Sequence, residues 1–159
     1  MPSADSSATY RRSLDWIAIA AGILAILVAG YLTIVHYQDG LLVCSVVEGC
    51  ETVQQSEYAE IGPFPVALLG LLASVAMLAL AVLRMKVPGY RFAAGAALFG
   101  MLLASVLYLG YLTYLELVVI DAICQWCVTY FGIVLIWAIL EGWRMWRNLF
   151  ADGGEFEED

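Results

Sequence analysis

Four long runs without a charged residue constrain the fold of this chain more than any other feature. They cover residues 17–35, 61–83, 92–115 and 122–140. About 20 consecutive apolar residues are enough for a helix to cross a bilayer. A soluble domain of 159 residues could not bury a chain that is 63% hydrophobic and 14% charged. We therefore predict an all-α integral membrane protein that forms a four-transmembrane-helix bundle.

The segments between these runs are short, so the chain is predicted to be one membrane domain. We expect a flexible cytoplasmic tail at 1–15, a membrane domain at 16–145 and an acidic cytoplasmic tail at 146–159. Within the membrane domain, an outer loop at 38–60 follows the first span. The predicted spans lie at about 16–37, 61–83, 92–116 and 121–143.

The basic residues predict the orientation in the membrane. All seven fall in three places that four spans put on one side: Arg11 and Arg12; Arg84, Lys86 and Arg91; Arg144 and Arg147. The positive-inside rule makes this side cytoplasmic. Both termini are thus predicted inside a plasma (inner) membrane, and the loops without Lys or Arg outside. The chain has no further basic patch, so nucleic-acid binding has no support.

All four cysteines map to the predicted outer face. Cys44 and Cys50 lie in the outer loop, and Cys124 and Cys127 form a CxxC at the start of the fourth span. A helix N-terminus lowers a thiol pKa and favours the thiolate that disulfide exchange requires. Asp121, a predicted N-cap, would add an opposing negative charge. Cys127 is expected to lie deeper in the membrane than Cys124.

The two cysteine pairs predict an electron relay. A loop dithiol can exchange with a fixed dithiol through mixed disulfides. The sequence has no GxGxxG or flavin motif, so the terminal two-electron acceptor is expected in the bilayer, which indicates a quinone as co-substrate. The resulting hypothesis is an enzyme, a membrane thiol:quinone oxidoreductase, with no metal.

Other interpretations of the cysteines stay open. They could form a Cys₄ zinc site, or two structural disulfides in a non-enzymatic four-span scaffold. The same relay could also run in the reducing direction, because direction depends on relative potentials. Glu116 and Asp121 could relay protons to the quinone, but we expect them to end their spans in water. His36 is expected to be an interface residue.

An ordered set of motifs resembles the bacterial branch of the vitamin K epoxide reductase (VKOR) family. The set comprises Cys44, Cys50-Glu51, Ser56-Glu57-Tyr58-Ala59, Pro65-Val66-Ala67-Leu68-Leu69-Gly70 and Cys124-Gln125-Trp126-Cys127. The resemblance covers the whole membrane core. The order of the pairs also separates the chain from DsbB-like oxidases, in which the CxxC comes first.

The resemblance implies a helix bundle with an outer loop capping a quinone pocket, and disulfide formation in exported proteins. It implies that Cys127 reacts with the quinone, a menaquinone, ubiquinone or vitamin K-type naphthoquinone. It implies that Cys124 exchanges with Cys50, while Cys44 meets a separate thioredoxin-like (DsbA-like) partner, or that the two loop cysteines take these roles the other way round. Ser56 matches a serine that supports the site. Tyr130 is a further candidate for the quinone pocket, near the position of a tyrosine in the vertebrate enzymes.

The chain also departs from the family. The vertebrate enzymes carry a quinone-binding asparagine near the start of the second span, whereas the one asparagine here is Asn148, on the inner side. Epoxide reduction is therefore not part of the prediction.

Overall fold

The computed structural model describes residues 4–38 and 49–152, and the side chains of 12–38, 49–50 and 52–147. Its elements are α1 (Ala4–Gln38), α2 (Cys50–Gln54), β1 (Glu60–Ile61), β2 (Phe64–Pro65), α3 (Val66–Lys86), α4 (Arg91–Val118) and α5 (Gln125–Asp152). Two 3₁₀ turns, Glu57–Ala59 and Pro88–Tyr90, precede β1 and α4.

Four of the helices are long and apolar enough to cross a membrane, which confirms the predicted fold class. Their membrane-compatible parts are Arg12–Gln38, Val66–Lys86, Pro88–Val118 and Gln125–Arg147. The ends differ from expectation. Helix α1 begins at Ala4, within the segment expected to be a flexible tail, and α5 runs to Asp152, within the expected acidic tail.

The second span begins at Val66 rather than near residue 61. Glu60 pairs with Pro65 and Ile61 with Phe64 in a small antiparallel hairpin. Gly62 turns this hairpin with a φ of +63°, a conformation that glycine adopts without a steric penalty. A hydrophobic run alone cannot distinguish such a hairpin from the first turns of a helix.

The long helices form a closed bundle in which α1 packs on α3, α3 on α4, α4 on α5, and α5 on α1. Small residues on α1 allow close packing around the fully buried Trp137. A Cβ on Gly22 would lie 2.9 Å from Leu78 Cδ1 and 3.0 Å from Trp137 Cη2. Gly22 therefore lies at a helix seam. Gly100, in contrast, has open space beside it.

Four charged side chains cluster between α1, α3 and α5. Arg84 forms a bidentate ion pair with Glu141 and lies 3.6 Å from Asp15. Arg144 contacts Asp15 at 2.5 Å and Glu141 at 3.7 Å. Arg84 and Glu141 are buried, with 9% and 3% of their surface exposed. The sequence assigned Arg84 and Arg144 to orientation only and missed this cluster.

Residues 49–65 form a cap over the opposite end of the bundle. The Ser56 hydroxyl donates a hydrogen bond of 2.7 Å to the Val53 carbonyl. This bond stabilises the turn that follows α2. His36, at the end of α1, lies 3.3 Å from the Glu60 carboxylate of β1. His36 therefore contacts the cap.

The cysteine site and its cavity

The CxxC begins at a tight connection between α4 and α5. Val119 and Ile120 both donate to the Leu115 carbonyl, and Ala122 donates to the Glu116 carbonyl at 3.1 Å. Asp121 is exposed, with a φ of +52° in the left-handed region. It lies four residues before the first helical residue, Gln125. The prediction that Asp121 is the N-cap was therefore wrong.

Cys124 itself occupies the N-cap position of α5. Its Sγ accepts a hydrogen bond of 3.3 Å from the Cys127 amide, and its carbonyl accepts the first helical bond from Val128. An N-cap side chain normally satisfies an unpaired amide in this way. A hydrogen bond from the Cys127 thiol, with bonds from the amides of Cys127 and Trp126, lowers the pKa of the Cys124 thiol. Burial and the nearby Glu116 carboxylate oppose this shift without reversing it.

Cys50 packs against Cys124 in a buried cluster that also includes Val53. The contact depends on Gly49: a Cβ there would lie 2.7 Å from both the nitrogen and the carbonyl oxygen of Ile123. No side chain fits in this space, so glycine lets the cap lie directly on the CxxC turn. Cys50 is 1% exposed and Cys124 is fully buried.

The oxidation states of the cysteines differ. Cys50 is disulfide-bonded, whereas Cys124 and Cys127 are free thiols. Cys44 lies outside the described residues. The structure thus brings Cys50 of the loop together with Cys124 of the CxxC.

Two aromatic rings hold the CxxC turn against the first helix. The Trp126 and Tyr31 rings have their centroids 4.9 Å apart, with a tilt of 53° between their planes. Trp126, one of the two middle residues of the CxxC, therefore anchors the turn to α1.

The prediction that Glu116 ends its span in water was wrong. Glu116 is buried: its side chain is 3% exposed. Its Oε2 accepts a hydrogen bond of 3.0 Å from the Cys124 amide, and the carboxylate also hydrogen-bonds to the Cys127 side chain. Its position in the sequence could have indicated this burial, because Glu116 lies within the last apolar turn of the third span, before Leu117 and Val118. Asp121, in contrast, is exposed as expected.

A cavity of about 390 Å³ lies beside the CxxC, between the cap and the helices. Cys127 and Tyr130 of α5 and Ser56 of the cap all line it. Most of its other lining residues are apolar, and they come from α1, α3, α4 and the cap. Its size and lining suit a flat, largely apolar ring with a few polar atoms. The residues present therefore fit a quinone.

The Tyr130 hydroxyl is held by α3. It donates to the Gly70 carbonyl at 3.0 Å and lies 2.9 Å from the Ser74 hydroxyl. Ser74 in turn lies 2.8 Å from the same carbonyl. The tyrosine ring thus lines the cavity while its hydroxyl proton is directed into the helix seam.

Comparison with known proteins identifies the family. Residues 16–141 match the vitamin K epoxide reductase family, which covers most of the chain. The chain belongs to the VKOR family. The matched region starts in α1 and ends in α5, so it includes the CxxC turn, the cap and the cavity.

Membership in the VKOR family has general consequences for this chain. Members are membrane helical bundles with oxidoreductase activity that links thiols to a quinone. They work with thioredoxin-like partners in general.

Proposed function

We propose that this protein generates disulfides in exported proteins. In this proposal electrons pass from a thioredoxin-like (DsbA-like) partner to Cys44 and Cys50, then to Cys124 and Cys127, and finally to a membrane quinone. The observation that carries the proposal is the buried contact between Cys50 and Cys124, with Cys127 on the wall of the adjacent cavity.

The first transfer is supported by the arrangement of the cap. Exchange requires one sulfur to attack another directly, so the two cysteine pairs must touch. Cys50 packs on Cys124, whose lowered thiol pKa favours the thiolate. In the proposed relay Cys44 and Cys50 form the loop pair, and Cys50 is disulfide-bonded in the structure.

The described redox state corresponds to one stage of this relay. The loop cysteine is oxidised and the CxxC is reduced, as expected after electrons have moved inward. A scaffold with two stable disulfides would instead join Cys124 to Cys127.

The last transfer is supported by the position of Cys127. Cys127 lines the cavity. Its amide also donates a hydrogen bond to the Cys124 sulfur. The quinone accepts two electrons and two protons as Cys124 and Cys127 become a disulfide.

The proposed location follows from the basic residues. Residues flanking the inner connections are predicted to stay in the cytoplasm, so the cysteine site faces outward. There it meets exported proteins in an oxidising compartment. Both chain termini are then cytoplasmic.

The decisive experiment is quinone reduction by the purified protein in detergent, with a reduced thioredoxin-like protein as donor. We expect turnover in the wild type and none in Cys127→Ser. Thr129→Ala is the matched control, because Thr129 is exposed two residues further along the same helix and bonds only to the Gln125 carbonyl among the described contacts. A wild type that reduces no quinone with any such donor would refute the proposed function.

The partner step has its own test. In Cys50→Ala, Cys44 is left without its resolving cysteine. When the variant is mixed with the oxidised thioredoxin-like protein, the Cys44 thiol opens that protein's disulfide and releases one of its thiols, so a mixed disulfide should accumulate on a non-reducing gel. The adduct should be absent from a Cys44→Ala, Cys50→Ala double variant. An adduct that persists in the double variant would exclude Cys44 as the partner-facing residue.

A further inference from the structure

Glu116 is a buried carboxylate that contacts both halves of the reactive pair. Its Oε2 accepts the Cys124 amide at 3.0 Å, and the carboxylate hydrogen-bonds to the Cys127 side chain. Glu116 also lines the cavity proposed for the quinone. A buried carboxylate without a cationic partner is costly in a membrane protein and is a functional-site candidate by default.

No cation neutralises Glu116 in the part of the chain that the structure describes. The ion pairs found there all lie elsewhere, at His36–Glu60 and in the cluster around Arg84. Among the described cavity residues, those from α1 and α3 carry no titratable side chain. The titratable groups facing this space besides Glu116 are Tyr58 of the cap, Tyr108 of α4, and Cys124, Cys127 and Tyr130 of the CxxC turn and α5.

We propose that Glu116 is the proton-transfer residue of the quinone-reducing step. The inference rests on the proposed function and extends it. As the Cys124 thiolate and the Cys127 sulfur form their disulfide, the Cys127 S–H bond breaks and its proton passes to the Glu116 carboxylate. The electron pair released by disulfide formation reduces the quinone. Glu116 then donates its proton to one quinone oxygen, and a proton from the outer solvent completes the quinol.

The geometry favours this role over a purely structural one. Any side-chain acceptor of the right length could accept the hydrogen bond from the Cys124 amide, including a neutral amide oxygen. The second contact, to the Cys127 side chain, joins the carboxylate to the thiol that loses its proton in this step. A group that touches the thiol and also lines the cavity is placed to move a proton between the two.

The test separates the two half-reactions in Glu116→Gln, which keeps the size and the hydrogen-bond acceptor but cannot carry the proton. The pre-reduced protein in detergent is mixed with a short-chain soluble quinone, and a single turnover is followed. We expect the quinone step to slow by about 10²-fold or more. Reduction of the oxidised CxxC by the loop dithiol, measured without quinone, should stay close to the wild-type rate.

The pH profile gives a readout that a structural role would not change. In the wild type the rate of the quinone step should rise as Glu116 ionises and then level off, because the carboxylate must be charged to accept a proton. In Glu116→Gln that rise should disappear, and the rate should increase only as the thiol itself ionises. Glu116→Asp should recover part of the rate and the levelling profile. Glu57→Gln, an exposed cap residue outside the cavity lining, should behave as wild type.

Unchanged quinone reduction in Glu116→Gln would overturn the inference. So would an equal loss of both half-reactions in the Gln and Asp variants, since that pattern indicates a positional role. A wild type that shows no quinone reduction refutes the proposed function itself, whereas an active wild type with an unaffected Gln variant refutes only the role of Glu116.

Discussion

Gly49 and Ile123 approach so closely that a Cβ on Gly49 would lie 2.7 Å from two backbone atoms of Ile123. This contact places the cap on the CxxC turn and brings Cys50 against Cys124. Backbone atoms cannot move aside as the end of a flexible side chain can. The distance between the two cysteine pairs is therefore set by a residue that carries no chemistry of its own.

We predict that Gly49→Ala impairs the exchange between the cysteine pairs. The added methyl group has to displace the Ile123 backbone or lift the cap, and overpacking of this kind typically costs about 1–3 kcal/mol. The rate at which the loop dithiol reduces the CxxC should fall, measured by quenched alkylation and mass spectrometry. Quinone reduction by chemically pre-reduced protein should be far less affected.

Gly89→Ala is the matched control for this prediction. Gly89 lies in the turn before α4 and a Cβ there meets nothing within 4 Å. If the loop dithiol reduces the CxxC equally fast in Gly89→Ala and Gly49→Ala, the close approach of Gly49 to Ile123 does not control the transfer.

We predict that the Cys124 thiolate persists to lower pH than an ordinary cysteine, because hydrogen bonds from Cys127 and the helix start lower its pKa. The thiolate is present above its pKa, so the titration midpoint should lie on the acid side of the usual cysteine value. Cys127→Ala removes the thiol donor and should raise the midpoint. Cys127→Ser keeps a hydroxyl donor and should stay closer to the wild type.

The titration is followed by the ultraviolet absorbance of the thiolate. Both Cys127 variants retain one thiol in the motif, so their curves report Cys124 directly. Equal midpoints in the Ala and Ser variants would show that the Cys127 side chain does not stabilise the Cys124 thiolate.

We predict that Tyr130→Phe mainly affects stability. The hydroxyl bonds to Gly70 and Ser74 across the α3–α5 seam, and a hydrogen bond of this kind contributes about 1 kcal/mol. Thermal unfolding in detergent should show the loss, while the KM for a soluble quinone should change little. Ser74→Ala, which removes the second hydroxyl at this seam, should also lower stability. A large rise in KM without a loss of stability would mean that the tyrosine hydroxyl binds the quinone instead.

The bundle was predictable because the membrane leaves few choices. Apolar runs of sufficient length must form helices whose backbone bonds are satisfied internally, and α3, α4 and α5 follow from that rule. The hairpin at 60–65 did not, since Ile61 and Phe64 extend the apolar run without belonging to the helix. Composition reports whether a segment suits the bilayer, but not where its backbone changes from strand to helix.

The sequence shows the two cysteine pairs but not the contacts that support them. Cysteine spacing indicates the pairs directly, and their chemistry stays a prediction. The roles of Gly49 and Glu116 depend on the distance between segments that are far apart in sequence, such as Gly49 and Ile123. Asp121 and Glu116 looked equivalent as acidic residues before the CxxC. The fold separates them, because the chain turns at Asp121 while Glu116 remains inside α4.

We predict that Arg84→Gln destabilises the bundle at the charge cluster between α1, α3 and α5. Arg84→Gln leaves the buried Glu141 with Arg144 at 3.7 Å as its remaining cationic contact among the described residues. Removing one member of a buried pair typically costs about 3–5 kcal/mol, because the other charge stays buried. Thermal and denaturant unfolding in detergent should therefore show a large loss.

Lys86→Gln is the matched control, since it removes one positive charge from an exposed position on the same helix. Its effect should stay within about 0.5 kcal/mol. The double change Arg84→Met, Glu141→Met tests the cause. It removes both charges and leaves Arg144 and Asp15 paired at 2.5 Å, so much of the stability should return. A double variant as unstable as Arg84→Gln would show that packing around these side chains, rather than the unpaired charge, holds α3 against α5.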